Sequence, residues 1–253
     1  MTRALAHDSN PPPNWPEGII YLTKCRLSPT FPTSLIPLIS SNGRFLPRSI
    51  IHPSSVLIKR IDKVDHPAKG QNGLFAKGKI KPGILIIPYF GIIHATFTLD
   101  QSGSQSQSQS QSLSNSGKEG RDRNRVPYQD KDEHEDSDYD LSLLRISASE
   151  ITNPFPGYHI SIGIDAAHMG NAARFVNDYR GINDSGGPNA EFRLGKGENG
   201  ELQMEIWSLP LKLNKKNRGN QVTAAAAATG ISKGDEILVS YGKGWWGARN
   251  QGT

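Results

Sequence analysis

Cysteine is almost missing: Cys25 stands alone among 253 residues. One thiol cannot close a disulfide within the chain, nor build a cysteine-rich zinc cluster. Long apolar runs are missing too. A membrane-spanning helix needs about 18 or more apolar residues. The longest such stretch, Ile84 to Phe97, is broken by Pro88, Gly91 and His94 and reads as buried strands. The polar, Pro-rich start, Met1 to Pro13, lacks the apolar segment of a signal peptide. Acidic excess is absent, since 29 Lys+Arg stand against 24 Asp+Glu, a net +5. That balance suits nucleic acid or chromatin as a partner, and equally a soluble basic protein with no such partner. Hydrophobic content of 35% is low for a fully packed chain, so part of it is expected to be disordered. Fixed-length repeats and long periodic helices are also lacking.

What is abundant is turn chemistry. Gly 26 and Pro 17 make 43 of 253 residues, about 17% against roughly 12% in average usage, which favours short strands. Residues 1–50 hold eight prolines, a density that blocks regular helix and central strand. They read as an extended, partly disordered arm, with Leu35–Ile39 docking on the domain. Short branched-apolar segments follow: Val56–Ile61, Gly73–Ala76 and Ile84–Ile87, the last preceded by the turn Lys81-Pro82-Gly83. A Gln-Ser alternation over residues 101–112 and the acidic run Asp130–Asp140 cannot bury enough apolar surface to offset chain entropy. Residues 100–140 are therefore expected to be a disordered insertion in a surface loop. Without arm and insertion, roughly 160 residues remain, an ordinary domain. Tyr158–Ile162, Ala190–Leu194 and Leu202–Trp207 alternate as half-buried strands do, and Ile237–Tyr241 reads as a final strand. Val222–Ala228 stays ambiguous between helix and strand.

Three separated segments carry chemistry. The first runs Gly70-Gln71-Asn72-Gly73-Leu74-Phe75-Ala76, with Ile80-Lys81-Pro82-Gly83 and Tyr89-Phe90-Gly91 after it. The second is Ile164-Asp165-Ala166, then Gly170-Asn171-Ala172-Ala173-Arg174-Phe175-Val176-Asn177-Asp178, then Pro188-Asn189-Ala190. The third is Ile231-Ser232-Lys233-Gly234-Asp235-Glu236-Ile237-Leu238-Val239-Ser240-Tyr241-Gly242. In this order they closely resemble the SET-domain family of protein lysine methyltransferases, over about residues 54–247 with two insertions. The resemblance implies a mainly β fold of short curved sheets with few short helices and a knot-like C-terminal crossing. That crossing brings the Tyr241 strand to the loop holding Arg174–Asp178, an exception to the rule that chains avoid threading.

The resemblance also implies an activity: protein-lysine N-methyl transfer from S-adenosyl-L-methionine, with a histone tail or another accessible lysine as substrate. Asn72, Gly73, Leu74, Arg174, Asn177, Asp178, Tyr241 and Trp246 become cofactor-side residues. A glycine at 73 lets backbone approach the ligand closely, and the Asn177 amide both donates and accepts. Tyr241 takes the central catalytic position and Tyr158 a second tyrosine position lining the lysine channel. Tyr89, Phe90, Trp245 and Trp246 are further aromatic candidates, Trp245-Trp246 as a lid. Val239, smaller than the aromatic residue of some relatives, leaves room for additional methyl groups. The sequence departs from the family twice: Gln71 replaces the first glycine of a Gly-x-Gly pattern, and Asp178 stands where His is usual. These departures keep open a non-catalytic SET-like interaction module. The histidines show no metal spacing; His66 reads as a turn residue, and His159 and His168 as structural. No metal, no membrane and no direct nucleic-acid readout is expected. A nuclear location fits a histone substrate, with the cytoplasm as the other compartment; oligomeric state is open.

Overall fold

A computed structural model describes residues 6–100, 134, 137–182, 186–210 and 230–242. The Gln-Ser tract, the ambiguous alanine run and Trp245-Trp246 lie outside the described residues. Among the described residues thirteen short strands dominate: β1 (Ile20–Tyr21), β2 (Arg26–Leu27), β3 (Val56–Arg60), β4 (Asn72–Ala76), β5 (Leu85–Tyr89), β6 (Ile92–Leu99), β7 (Asp140–Ile146), β8 (Tyr158–Asp165), β9 (Met169–Gly170), β10 (Asn177–Asp178), β11 (Ala190–Lys196), β12 (Leu202–Ser208) and β13 (Leu238–Val239). The helical pieces are single turns, α1 (Ile36–Ile39) and the 3-10 turns Thr33–Leu35 and Ala172–Phe175.

The largest sheet has the order β2-β6-β8-β7. β8 is central, and its period-2 pattern explains why: Ile160, Ile162 and Ile164 are at most 1% exposed, while His159 and Ser161 point outward. Gly91, at the β5–β6 turn, meets this sheet so closely that a Cβ there would lie 2.3 Å from the Asp165 carbonyl oxygen. A second sheet runs β11-β12-β5. β12 was expected to be half-buried, yet it is covered on both faces. Met204, Ile206 and Ser208 enter the core, and Gln203 and Glu205 are buried opposite them. The Glu205 carboxylate is satisfied by the Gln203 amide and the Trp207 indole N–H, each at 2.6 Å, as a buried charge requires.

The arm is more deeply built in than its proline content suggests. β1 pairs with β9 and β2 with β6, both parallel. Tyr21, Leu22, Leu35 and Ile39 are at most 2% exposed and belong to the core. The prolines fall where they do no harm: Pro37 occupies the first turn of α1, where its missing N–H has no partner to lose. Likewise the last part of the expected insertion is structured, since Ser137–Asp140 lead into β7, which pairs with β8.

The C-terminal segment crosses as expected. β13 pairs in parallel with β10, Asn177 opposite Leu238 and Asp178 opposite Val239. Its other side is held by Asn189, which donates from Nδ2 to the Glu236 carbonyl at 2.7 Å and accepts from the Leu238 amide at 2.9 Å. Just upstream, the Ile237 amide bonds the Leu74 carbonyl and Ile231 bridges Ile80. One strand thus joins β4, β10 and Asn189.

Candidate active site

Beside this crossing lies a cavity of about 930 Å³, at the upper end of small-molecule sites. One part of its wall comes from the turn before β4 and from β10, with His66, Gln71, Asn72, Asn177 and Asp178. Another part comes from β7, with Tyr139, Asp140 and Arg145; Pro16 and Ile19 of the arm, Tyr89 and Phe192 also contribute. Tyr241 lies on the same wall.

Tyr241 is held from both ends by one short stretch. Its hydroxyl donates to the Val176 carbonyl at 2.7 Å, and its backbone N–H donates to Asp178 Oδ2 at 2.7 Å. Burial pushes the phenol well above its usual value, with the Asp178 charge adding to the effect. The group is therefore a neutral O–H at physiological pH. Asp178 also accepts from the Arg180 amide and from Arg180 Nη1, at 2.8 and 3.0 Å. The carboxylate in this unusual position is thus a clasp for the crossing strand.

Asn177 and Glu236 form a second connection. Asn177 Nδ2 donates to Glu236 Oε1 at 2.7 Å. Glu236 Oε2 lies 3.0 Å from His66 Nε2. His66 Nδ1 accepts from the Ala68 amide, so Nε2 carries the proton and donates to Glu236. His66 is a turn residue, as expected, and it also anchors this network. Gly73 explains itself here. A Cβ would lie 2.8 Å from Glu236 Oε1 and 2.9 Å from the Phe75 ring, so the missing side chain makes room for the protein's own carboxylate.

Of the expected site residues, Asn72, Arg174, Asn177, Asp178 and Tyr241 line the cavity and others do not. Asn72 and Gly73 open β4 opposite Arg60 and Lys59 rather than forming a turn; the chain turns earlier, at Gly70, with φ +84. Leu74 is fully buried in the core, and neither it nor Gly73 lines the cavity. Val239 is also fully buried and is not among the cavity-lining residues. Arg174, 7% exposed, bonds the Ala166 and Ala167 carbonyls at 2.9 and 3.2 Å. Its guanidinium sits 4.1 Å from the centroid of the Tyr139 ring, and burial pulls it below its usual value. It braces the loop through these bonds and lines the cavity as well. Trp246 lies outside the described residues.

Tyr158 begins β8 opposite Leu99 and is not among the cavity-lining residues. The cavity-lining residue of β7 nearest to it in register is Arg145, opposite Ser161, three residues along the strand or about 10 Å away. Tyr139 and Tyr89 stand at the cavity instead. The Tyr89 hydroxyl donates to the Tyr139 carbonyl at 2.8 Å, burial pushes its phenol far up, and Phe192 packs edge-on against its ring at 6.2 Å. Sequence reading missed Tyr139 because it falls inside the acidic run. The available signal was the apolar alternation that begins two residues later at Leu141.

A family model described as SET domain matches residues 71–242. Comparison with curated protein sequences gives no match. Among solved structures, ATXR5 in complex with mono-methylated histone H3.1 is similar at TM-score 0.44 and 15% identity, over 88% of this chain and 81% of that one. The ATXR5 SET domain with di-methylated histone H3 gives TM-score 0.36 and 19% identity, over 74% and 57%. Polycomb Repressive Complex 2 of Chaetomium thermophilum, bound to GSK126, gives 0.37 and 17%, over 78% of this chain and 17% of that one.

Proposed function

The chain belongs to the SET-domain family, and from that membership we propose that it is an S-adenosyl-L-methionine-dependent protein-lysine N-methyltransferase whose substrate is a histone tail or another accessible lysine. The observation that carries this reading is the meeting of two distant stretches at one cavity. Asn177 and Tyr241, 64 positions apart in the sequence, share its wall because β10 and β13 pair.

The cavity is large enough for a nucleoside-sized ligand together with a lysine side chain, and its lining mixes carboxamides with aromatic rings. Asn72, Gln71 and Asn177 would hold the cofactor. The Asn177 amide nitrogen is committed to Glu236, which fixes its orientation and leaves its carbonyl oxygen for a donor. When bound, S-adenosyl-L-methionine supplies a methyl group on a positively charged sulfur, open to in-line displacement by an amine. Everything else is positioning. A lysine amine has a usual pKa near 10.4 and attacks only when neutral. A channel walled by Tyr89, Tyr139 and Phe192 lowers that value by stripping water from the ammonium. The Tyr241 hydroxyl, kept protonated by burial and aimed at the Val176 carbonyl, orients the groups meeting there. A histone substrate would place the protein in the nucleus. Among the described residues no helix is long and apolar enough to cross a membrane.

Two measurements test the proposal. Titration calorimetry with S-adenosyl-L-methionine should show saturable binding, and mass spectrometry of lysine peptides incubated with labelled cofactor should show added methyl groups. Tyr241→Phe should cut transfer by about a hundred-fold, because positioning terms are large. Its thermal unfolding should move only by the loss of one hydrogen bond, about 1 kcal/mol. Unchanged turnover in this variant removes Tyr241 from the mechanism. Absence of cofactor binding by wild-type protein favours the interaction-module reading instead.

A further inference from the structure

From Lys59 to Lys81 the chain carries seven basic residues and two acidic ones, Asp62 and Asp65. The net +5 of this segment equals the net +5 of the whole chain, so the remainder is neutral on balance. The charge sits on the β3–β4 ribbon and on the segments that connect and leave it. β3 and β4 pair from Val56 opposite Ala76 to Arg60 opposite Asn72. Lys59 lies over the Phe75 ring at 5.0 Å, which puts both on the ribbon's outer face. Lys77 continues the ladder through its amide bond to the Ser55 carbonyl, and strand alternation places it on the same face as Phe75. Lys79 and Lys81 flank Ile80, which its bridge to Ile231 turns inward, and both are exposed. Arg60 and Lys63 have carboxylate neighbours in Asp62 and Asp65, at 4.0 and 3.8 Å. Lys77, Lys79 and Lys81 have none within salt-bridge distance among the described residues. The same segment supplies His66, Gln71 and Asn72 to the cavity wall, so the charge borders the site.

We propose that the β3–β4 ribbon and the segment leaving it, through Lys59, Lys77, Lys79 and Lys81, form a docking face for the phosphate backbone of duplex DNA. Such contacts are independent of base sequence, which agrees with the absence of a groove-reading element among the described residues. The face lacks the exposed aromatic platform that single strands stack on, since Phe75 is half-buried beneath Lys59. An anionic membrane fits less well. The exposed apolar side chain in this segment, Val64, is 80% exposed but stands between Asp62 and Asp65. The choice of DNA rests on the histone-methyltransferase reading, because histone lysines are presented beside DNA.

Fluorescence anisotropy of a labelled mixed-sequence 30-base-pair duplex with the full chain tests the ribbon. Four phosphate contacts predict a log–log salt slope of about −3.6, roughly a hundred-fold weakening between 50 and 200 mM salt. The combined variant Lys59→Gln, Lys77→Gln, Lys79→Gln and Lys81→Gln should abolish most of that slope and weaken binding at least ten-fold at 50 mM, with an unchanged circular dichroism spectrum. The control Lys212→Gln, Lys215→Gln, Lys216→Gln and Arg218→Gln should bind as wild type does. No duplex binding at 50 mM, an unaltered slope in the ribbon variant, or tighter ribbon-dependent binding to phosphatidylserine vesicles or single-stranded RNA overturns the proposal. Failure of the methyltransferase reading shows differently, as wild-type protein that binds the duplex yet methylates no peptide.

Discussion

Asp178 shows how one side chain can replace a family feature with a different physical solution. Its carboxylate takes the backbone N–H of Tyr241 and two donors of Arg180, so it extends a two-residue parallel ladder by a side-chain acceptor. Leaving a buried N–H without a partner costs about 1–3 kcal/mol. Asp178→Ala should therefore speed hydrogen exchange at the Tyr241 amide and lower the turnover number about ten-fold, while substrate KM changes less. Asp178→Asn keeps one acceptor oxygen and should recover part of both. Equal exchange rates in wild type and Asp178→Ala would show that the clasp does not hold Tyr241. The departure at this position was visible in the sequence, but its meaning was not. A carboxylate has many possible partners until the chain is folded, and here the partner lies 63 positions away.

At the scale of elements, strands with a clear period of two were legible. β8 and β11 fall where alternation put them. Elements whose signal was masked by composition were not legible. The proline-rich arm read as loosely attached, yet Leu22 is fully buried between β1 and β2, and its amide bonds the Gly170 carbonyl at 2.7 Å. Leu22→Ala should therefore cost about 2–5 kcal/mol, read as a lower midpoint in a single urea transition. A loss within a few tenths of a kcal/mol would mean that the arm is not part of the cooperative unit. Tyr158 and Tyr139 illustrate the same limit from the other side. Tyr158 opens one apolar alternation and Tyr139 precedes another, and only the folded chain decides which of them lines the cavity.

Across the whole molecule, the junction where β7 enters the sheet is held by Asp165. Burial pushes its carboxyl up, but hydrogen bonds from His134, Ser137 and the Ala167 amide outweigh this and hold it below its usual 3.8. A carboxylate depressed on folding stabilises fully above its unfolded value and loses that contribution as pH falls through the lower folded value. The gap in urea midpoint between wild type and Asp165→Asn should thus be constant near neutrality and narrow below about pH 4. A gap that does not change with pH would show that the charge of Asp165 is not what holds this junction. The same junction carries Tyr139, so acid should loosen the cavity wall before the central core.

The pairing of the Asn177 loop with the Tyr241 strand followed from the family resemblance, whereas the sequence by itself determined the family and the short-strand architecture. Local motifs and their order suffice for these, because turns, alternation and capping act over a few residues. Tertiary structure alone decided which side chains share the cavity. It buried Gly73 and Leu74 and brought Tyr139 rather than Tyr158 to the cavity wall. Those outcomes depend on strand register and on crossings between residues far apart in the chain, and a one-residue change of register sends a side chain to the opposite face.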